Sequence, residues 1–204
     1  MLAYKFLRPG AVGPFSGFVW PAGEWVTAGD APAPCRTGIH GCRVEHLPWW
    51  LQDELWLAEF DEPVEDVGRK LVTARARLVS RVDAWNAETA RRFGEACARR
   101  ARDRAALALQ RAGADGAAAE LRACDTPQRV RELARGLDVP ETARISVLMA
   151  SDGARRAITG PTATSAYIAA HAARHDGGPT AMGIERRWQV DWLAGELGLP
   201  ERAA

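Results

Sequence analysis

At 204 residues and 47% hydrophobic, the chain is long enough to bury a substantial core and too apolar to be disordered. Its 27 basic and 26 acidic residues leave a formal charge of +1, which excludes a global field drawing it to nucleic acid or an anionic membrane. The first residues, MLAYKFLRPG, lack the features of a signal peptide, and no later apolar run approaches a bilayer span, so the expectation is a cytoplasmic protein whose four cysteines are free thiols, unless the fold brings Cys35 and Cys42 close enough to pair.

In chain order, Tyr4 to Leu7 is a short candidate strand closed by Pro9 and Gly10. Gly17 to Val26, GFVWPAGEWV, reads as a hairpin turning at Pro21-Ala22-Gly23. Residues 29 to 34, GDAPAP, form a loop. Thr37 to Val44 is a strand leading into a short helix from His46 to Asp53, with Pro48 tolerated in its first turn. Leu55 to Phe60 is a further strand. Lys70 to Val82 alternates so that Val72, Ala74, Ala76, Leu78, Ser80 and Val82 face the core.

Near residue 82 the composition shifts to Ala, Arg and Glu. A helix starts at Asp83 as cap and carries Trp85, Thr89, Phe93 and Ala96 on one face; Arg100 continues that stripe, so the helix ends there or Arg100 meets a carboxylate. Thr126-Pro127 is a strong helix start. Residues 141 to 151 are ambiguous between helix and strand, and SDG at 151 to 153 reads as a turn. Helices follow over Thr162 to His175, and from about Thr180 to Leu197 with Gly198 and Pro200 ending the last one. The expected fold is α+β, an antiparallel β-rich part over 1–82 packed against a helical part over 83–204.

Two constellations carry candidate chemistry. In CRTGIHGCRVEHLPWW, residues 35 to 50, thiolate and imidazole are zinc-type ligands, and Cys35, His40, Cys42 and His46 supply four. Their spacing is not that of a zinc knuckle, and a buried Cys with a hydrogen-bonded His explains the same residues. The second is His171 and His175, one helical turn apart, where Ala172 replaces the glutamate of a hydrolytic zinc helix and Asp176 is a third ligand candidate. Arg91, Arg92, Arg99, Arg100, Arg102 and Arg104 make a local basic stretch that reads as a solvated face. Only Lys5 and Lys70 are lysines, a bias read first as that of a GC-rich genome.

Residues Trp20, Gly23, Trp25, Cys35, Gly38, Ile39, His40, Cys42, Leu47, Trp50, Trp56 and Glu59 follow a pattern that resembles an uncharacterised family of small bacterial and phage domains. That resemblance covers roughly residues 4 to 82 and implies a shared fold with a site at His40 and Cys42. A looser similarity, through GIHGC, LPWWL and ELWLAEF, is to ADP-ribosyltransferases and implies an NAD ligand. The chain departs from them in lacking an early Arg or His partner and in having Leu57 two positions before Glu59.

The function expected from these residues is small-ligand binding, with or without catalysis, in a pocket on the His40/Cys42 strand. His40, Cys42 and Glu59 are the catalytic candidates, Trp49 or Trp50 a pocket wall, and His171 with His175 a metal pair. The cofactor is unknown. The competing class is a non-catalytic interaction module of accessory or immunity type, whose partner is a protein.

Overall fold

In the computed structural model, which describes residues 1–29 and 37–200, the strand period of two decides how the first segment is used. β1, Leu2–Leu7, sends Ala3 and Leu7 into an apolar cluster with Trp20, Ile39, Phe60, Leu71 and Leu78, and Lys5 lies between them on the same side. β1 pairs antiparallel with β4, so that Lys5 stands opposite Trp56. Strand β2 is Val26–Thr27, β4 is Glu54–Phe60 and β7 is Arg75–Arg81; with β1 they make a four-stranded sheet in the order β1-β4-β7-β2.

A second sheet has the order β3-β6-β5, from Ile39–Gly41, Leu71–Thr73 and Val64–Asp66 respectively, and all its pairs are antiparallel. Tyr4 and Cys42 join the sheets by exchanging two backbone hydrogen bonds, each 2.8 Å. After β3 a 3₁₀ helix, Val44–Trp49, buries Val44, Leu47 and Pro48.

Three expectations are corrected here. The aromatic segments around Pro21 do not form a hairpin with each other: Val19 bridges Val12, and Val26 pairs with Ala76. The two segments part because Trp20 enters the core, whereas Trp25 lies outside against the guanidinium groups of Arg75 and Arg77, 4.4 and 5.0 Å from its ring. The single strand over 70 to 82 is two. Thr73 turns its hydroxyl to the backbone, donating to the Asp61 carbonyl at 2.6 Å, and the chain passes from one sheet to the other at Ala74. Ala76 and Leu78 do face inward, as their alternation requires. The cap of the first long helix is Asn86 and not Asp83: Asn86 Oδ1 accepts the N–H groups of Glu88 and Thr89, both at 3.1 Å.

The helices are α1, Ala87–Arg111; α2, Asp115–Ala123; α3, Pro127–Gly136; α4, Glu141–Thr159; and α5, Thr162–Leu197. α2 carries no capping signal in the sequence: Ala114, at its cap position, makes no side-chain hydrogen bond. Thr126 caps α3 by accepting the Arg129 N–H, as its Thr-Pro start indicates. α4 settles the ambiguity at 141 to 151 as helix and absorbs Ser151 to Gly153, where the buried Gly153 faces Ile168 and Ala101 at distances that would put an added Cβ in ordinary van der Waals contact, 3.4 and 3.7 Å. α5 is two helical runs joined where Gly177 and Gly178 leave helical geometry, Gly178 at φ 71°.

The chain divides into two compact units, one formed by Met1–Thr89 together with the segment from Val190, the other by Ala90–Gln189. The last turns of α5 therefore belong with the β-rich unit. Inside the helical unit, Ala105, Leu109, Leu121, Val130, Val147 and Ala150 join α1 to α2, α3 and α4. Arg100 meets its carboxylate there: Nε donates to Glu185 at 2.7 Å, Arg104 binds Glu185 at 3.3 Å and Asp176 at 3.4 Å, and Arg111 also pairs with Asp176. No helix among the described residues is long and apolar enough to cross a membrane.

Candidate functional site

Most of GIHGC is explained by the needs of the backbone. Gly38 adopts φ 111°, a value side chains resist. Gly41 allows β3 to approach β1, since a Cβ there would meet the Phe60 ring at 2.6 Å and the Tyr4 carbonyl at 2.9 Å. Ile39 and Leu71 enter the core cluster, and period two sends His40 and Cys42 to the other side of β3. Cys42 is buried and its thiol is free; burial pushes its pKa far up, against the opposing charge of Lys5, so it stays a neutral thiol. That argues against its acting as a thiolate.

His40 is half-buried, and its Nε2 is fully enclosed without a hydrogen-bond partner among the described residues. Burial, then the charges of Lys70 and Lys5, hold its pKa below the ordinary imidazole value. His40 is therefore neutral at neutral pH.

Lys5 is the functional candidate that the sequence reading passed over. Its Nζ donates to the His40 carbonyl at 2.7 Å and sits 4.8 Å from the centre of the Trp20 ring. Among the described residues no carboxylate pairs with it. Burial lowers its pKa to about 8, and the nearby Cys42 only partly offsets this. A signal was present in the sequence: in a chain that uses arginine for nearly every positive charge, the two lysines, Lys5 and Lys70, both act on His40. Beside this group, the loop before Trp20 exposes Phe15, Phe18 and Val19, and Phe18 packs edge-on to Trp20 with centroids 5.6 Å apart.

The other expected residues are placed elsewhere. Glu59 is ion-paired with Arg77 at 2.6 Å, and among the described residues no hydrogen bond or ion pair joins it to His40 or Cys42. The buried acid of β4 is Glu54, whose carboxylate accepts from Gly10 N at 3.0 Å, Ala11 N at 3.1 Å and Trp56 Nε1 at 3.0 Å. Burial works to raise the Glu54 pKa, but these hydrogen bonds and Arg81 outweigh it and hold the group ionised below the ordinary range. Trp49 and Trp50 are both half-exposed and grip one residue: the Arg69 guanidinium lies over Trp49, and Trp50 Nε1 donates to the Arg69 carbonyl at 2.8 Å.

His171 stacks on Tyr167, centroids 4.0 Å apart, while His175 is exposed and Asp176 is engaged by Arg104 and Arg111. Burial first, then Arg174 and Arg186, lower the His171 pKa. Among the described residues no three His, Cys, Asp or Glu side chains are grouped to hold a metal ion; Cys35 lies outside those residues. His171 also lines a shallow apolar groove of about 370 Å³ in the helical unit, with Ile145, Leu148, Met149 and Tyr167.

Compared with known proteins, the chain matches no family model, no curated protein and no solved structure.

Proposed function

We propose that the β-rich unit binds a small organic ligand at the amine of Lys5, with His40 beside it and the Trp20 face as a platform. The observation that carries this is a half-buried lysine on the core side of a sheet, with no carboxylate partner among the described residues. A buried charge without a counter-charge is costly, and ligand sites are where such a cost is retained. The favoured ligand carries a carboxylate or carbonyl oxygen for the amine and an apolar body for Trp20 and Phe18. Cys42 contributes shape only, and Glu59 has no part in it.

The test is a thermal-shift panel of small carboxylates and oxo-acids on the wild type, Lys5→Met and His40→Ala. A compound that stabilises the wild type and neither variant supports the reading. Equal shifts in Lys5→Met, or no shift of the wild type by any member, would sink it and favour an interaction module. The observation behind that second reading is the exposure of Ile145, Leu148 and Tyr167, 50%, 61% and 53%, in the helical unit.

A further inference from the structure

We infer that Lys5 is an imine-forming amine, and that the ligand class of its site is the small aldehydes and 2-oxo acids. This deepens the ligand-binding reading above and rests on it. Three observations point to an amine and not merely a positive charge. The first is placement: Lys5 shares the inward side of β1 with Ala3 and Leu7, both fully buried, yet retains some exposed surface of its own. The second is company: an indole face and a backbone carbonyl contact it, the His40 imidazole within electrostatic reach is neutral, and none of them is a permanent anion that would hold the ammonium protonated. The third is the residue type. Arginine cannot be deprotonated in a protein and serves wherever only a charge is needed; this chain uses it at all but two of its 27 basic positions and keeps a deprotonatable side chain here.

The amine's pKa of about 8 fits such a role, because the unprotonated fraction at neutral pH is then about two orders of magnitude above that of an ordinary lysine. The chemistry balances without an oxidant or reductant. The Nζ lone pair attacks the carbonyl carbon, an N–C bond forms, and the C=O π pair moves to oxygen, which takes up a proton to give a carbinolamine. The nitrogen, having given up one of its two protons, uses the lone pair this frees to expel that oxygen, with a second proton, as water, and the iminium so formed sheds its last N–H proton. What remains is the imine, so amine plus carbonyl gives imine plus one water. The apolar surroundings of Lys5, with Trp20 on its face, favour loss of water over its return.

The sequence makes the test direct, since its two lysine amines are Lys5 and Lys70. Wild-type protein at pH 7.5 is treated with glyoxylate, pyruvate or acetaldehyde and sodium cyanoborohydride, which reduces an imine to a stable secondary amine, and peptides are read by mass spectrometry. The inference expects Lys5 to be trapped by at least one probe at least about tenfold faster than Lys70, with the excess lost in Lys5→Arg. Trapping of Lys5 no faster than Lys70 with every probe overturns it. If an oxo-acid or carboxylate still stabilises the wild type but not Lys5→Met, the site then binds without covalency and the ligand-binding reading survives. If neither effect is seen, both fall. Because the comparison of Lys5 with Lys70 is made within the wild type, it does not depend on any variant folding.

Discussion

At the scale of single residues, Lys5 and Glu54 are opposite solutions to burying a charge on one sheet face. Glu54 is satisfied by three N–H donors and Arg81, and it fixes the turn in which Gly10 and the non-glycine Ala11 take φ of 78° and 58°. Glu54→Gln keeps the shape but removes the charge and turns an NH₂ group toward N–H donors, so a loss of about 1–3 kcal/mol is expected in denaturant unfolding. Lys5 has a carbonyl and an indole face but, among the described residues, no carboxylate. Its folded pKa lies below its unfolded one, so between the two the unfolded state holds more protons; the penalty is complete below about pH 8 and fades as pH rises toward the unfolded value. Lys5→Met should therefore be more stable than the wild type at pH 7, with the difference shrinking from pH 8 to 10. The comparison must be made at each pH, because the Cys42, Cys97 and Cys124 thiols, all shifted upward, lower the stability of both proteins as the unfolded thiols ionise. A lower stability of Lys5→Met at pH 7 would mean that the bond to the His40 carbonyl outweighs the burial cost.

At the scale of elements, β3 is held by fit and the helical unit by charge. Gly41→Ala would press a methyl into the Phe60 ring and the Tyr4 carbonyl, and a cost of about 1–3 kcal/mol is expected, with loss of the amide-exchange protection of Tyr4 and Cys42. In the helical unit, Glu185 is completely buried and binds Arg100 and Arg104, joining α1 to the second run of α5. Glu185→Ala leaves Arg100 without its carboxylate and Arg104 with Asp176 alone, and about 3 kcal/mol should be lost in chemical unfolding. Helices were easier to read than strands because their signals are local: the Thr126-Pro127 start and the Gly-Pro end after Leu197 need no knowledge of neighbours. The strands of the first half depend on distant partners. Val26 pairs with Ala76, and Thr73 and Arg75 belong to different sheets, which alternation alone does not reveal.

At the scale of the whole molecule, the near-zero net charge is matched by local pairing. Among the arginines of α1, Arg91 meets Glu95, Arg102 meets Asp103, and Arg100, Arg104 and Arg111 are taken up by Glu185 and Asp176. The basic stretch is thus largely neutralised within its own unit, and the protein should leave a heparin column in low salt; retention into high salt would reveal a phosphate-binding surface.

By itself the sequence determined the α+β class, the change from strand to helix after residue 82, the helix starts at Thr126-Pro127 and Thr162 and the helix end before Gly198, and the inward alternation of Ala76 and Leu78. These follow from period and capping, which act within a few residues. It also pointed to GIHGC, but for reasons of chemistry where the glycines answer to a close backbone approach. Only the tertiary structure decided which groups meet: that Arg100 finds Glu185, that Glu59 goes to Arg77, and that Lys5 lies under the His40 carbonyl. Burial, and the absence of a counter-charge among the described residues, are properties of a three-dimensional neighbourhood, built from β1, β3 and the loop at Trp20, and no local pattern encodes them.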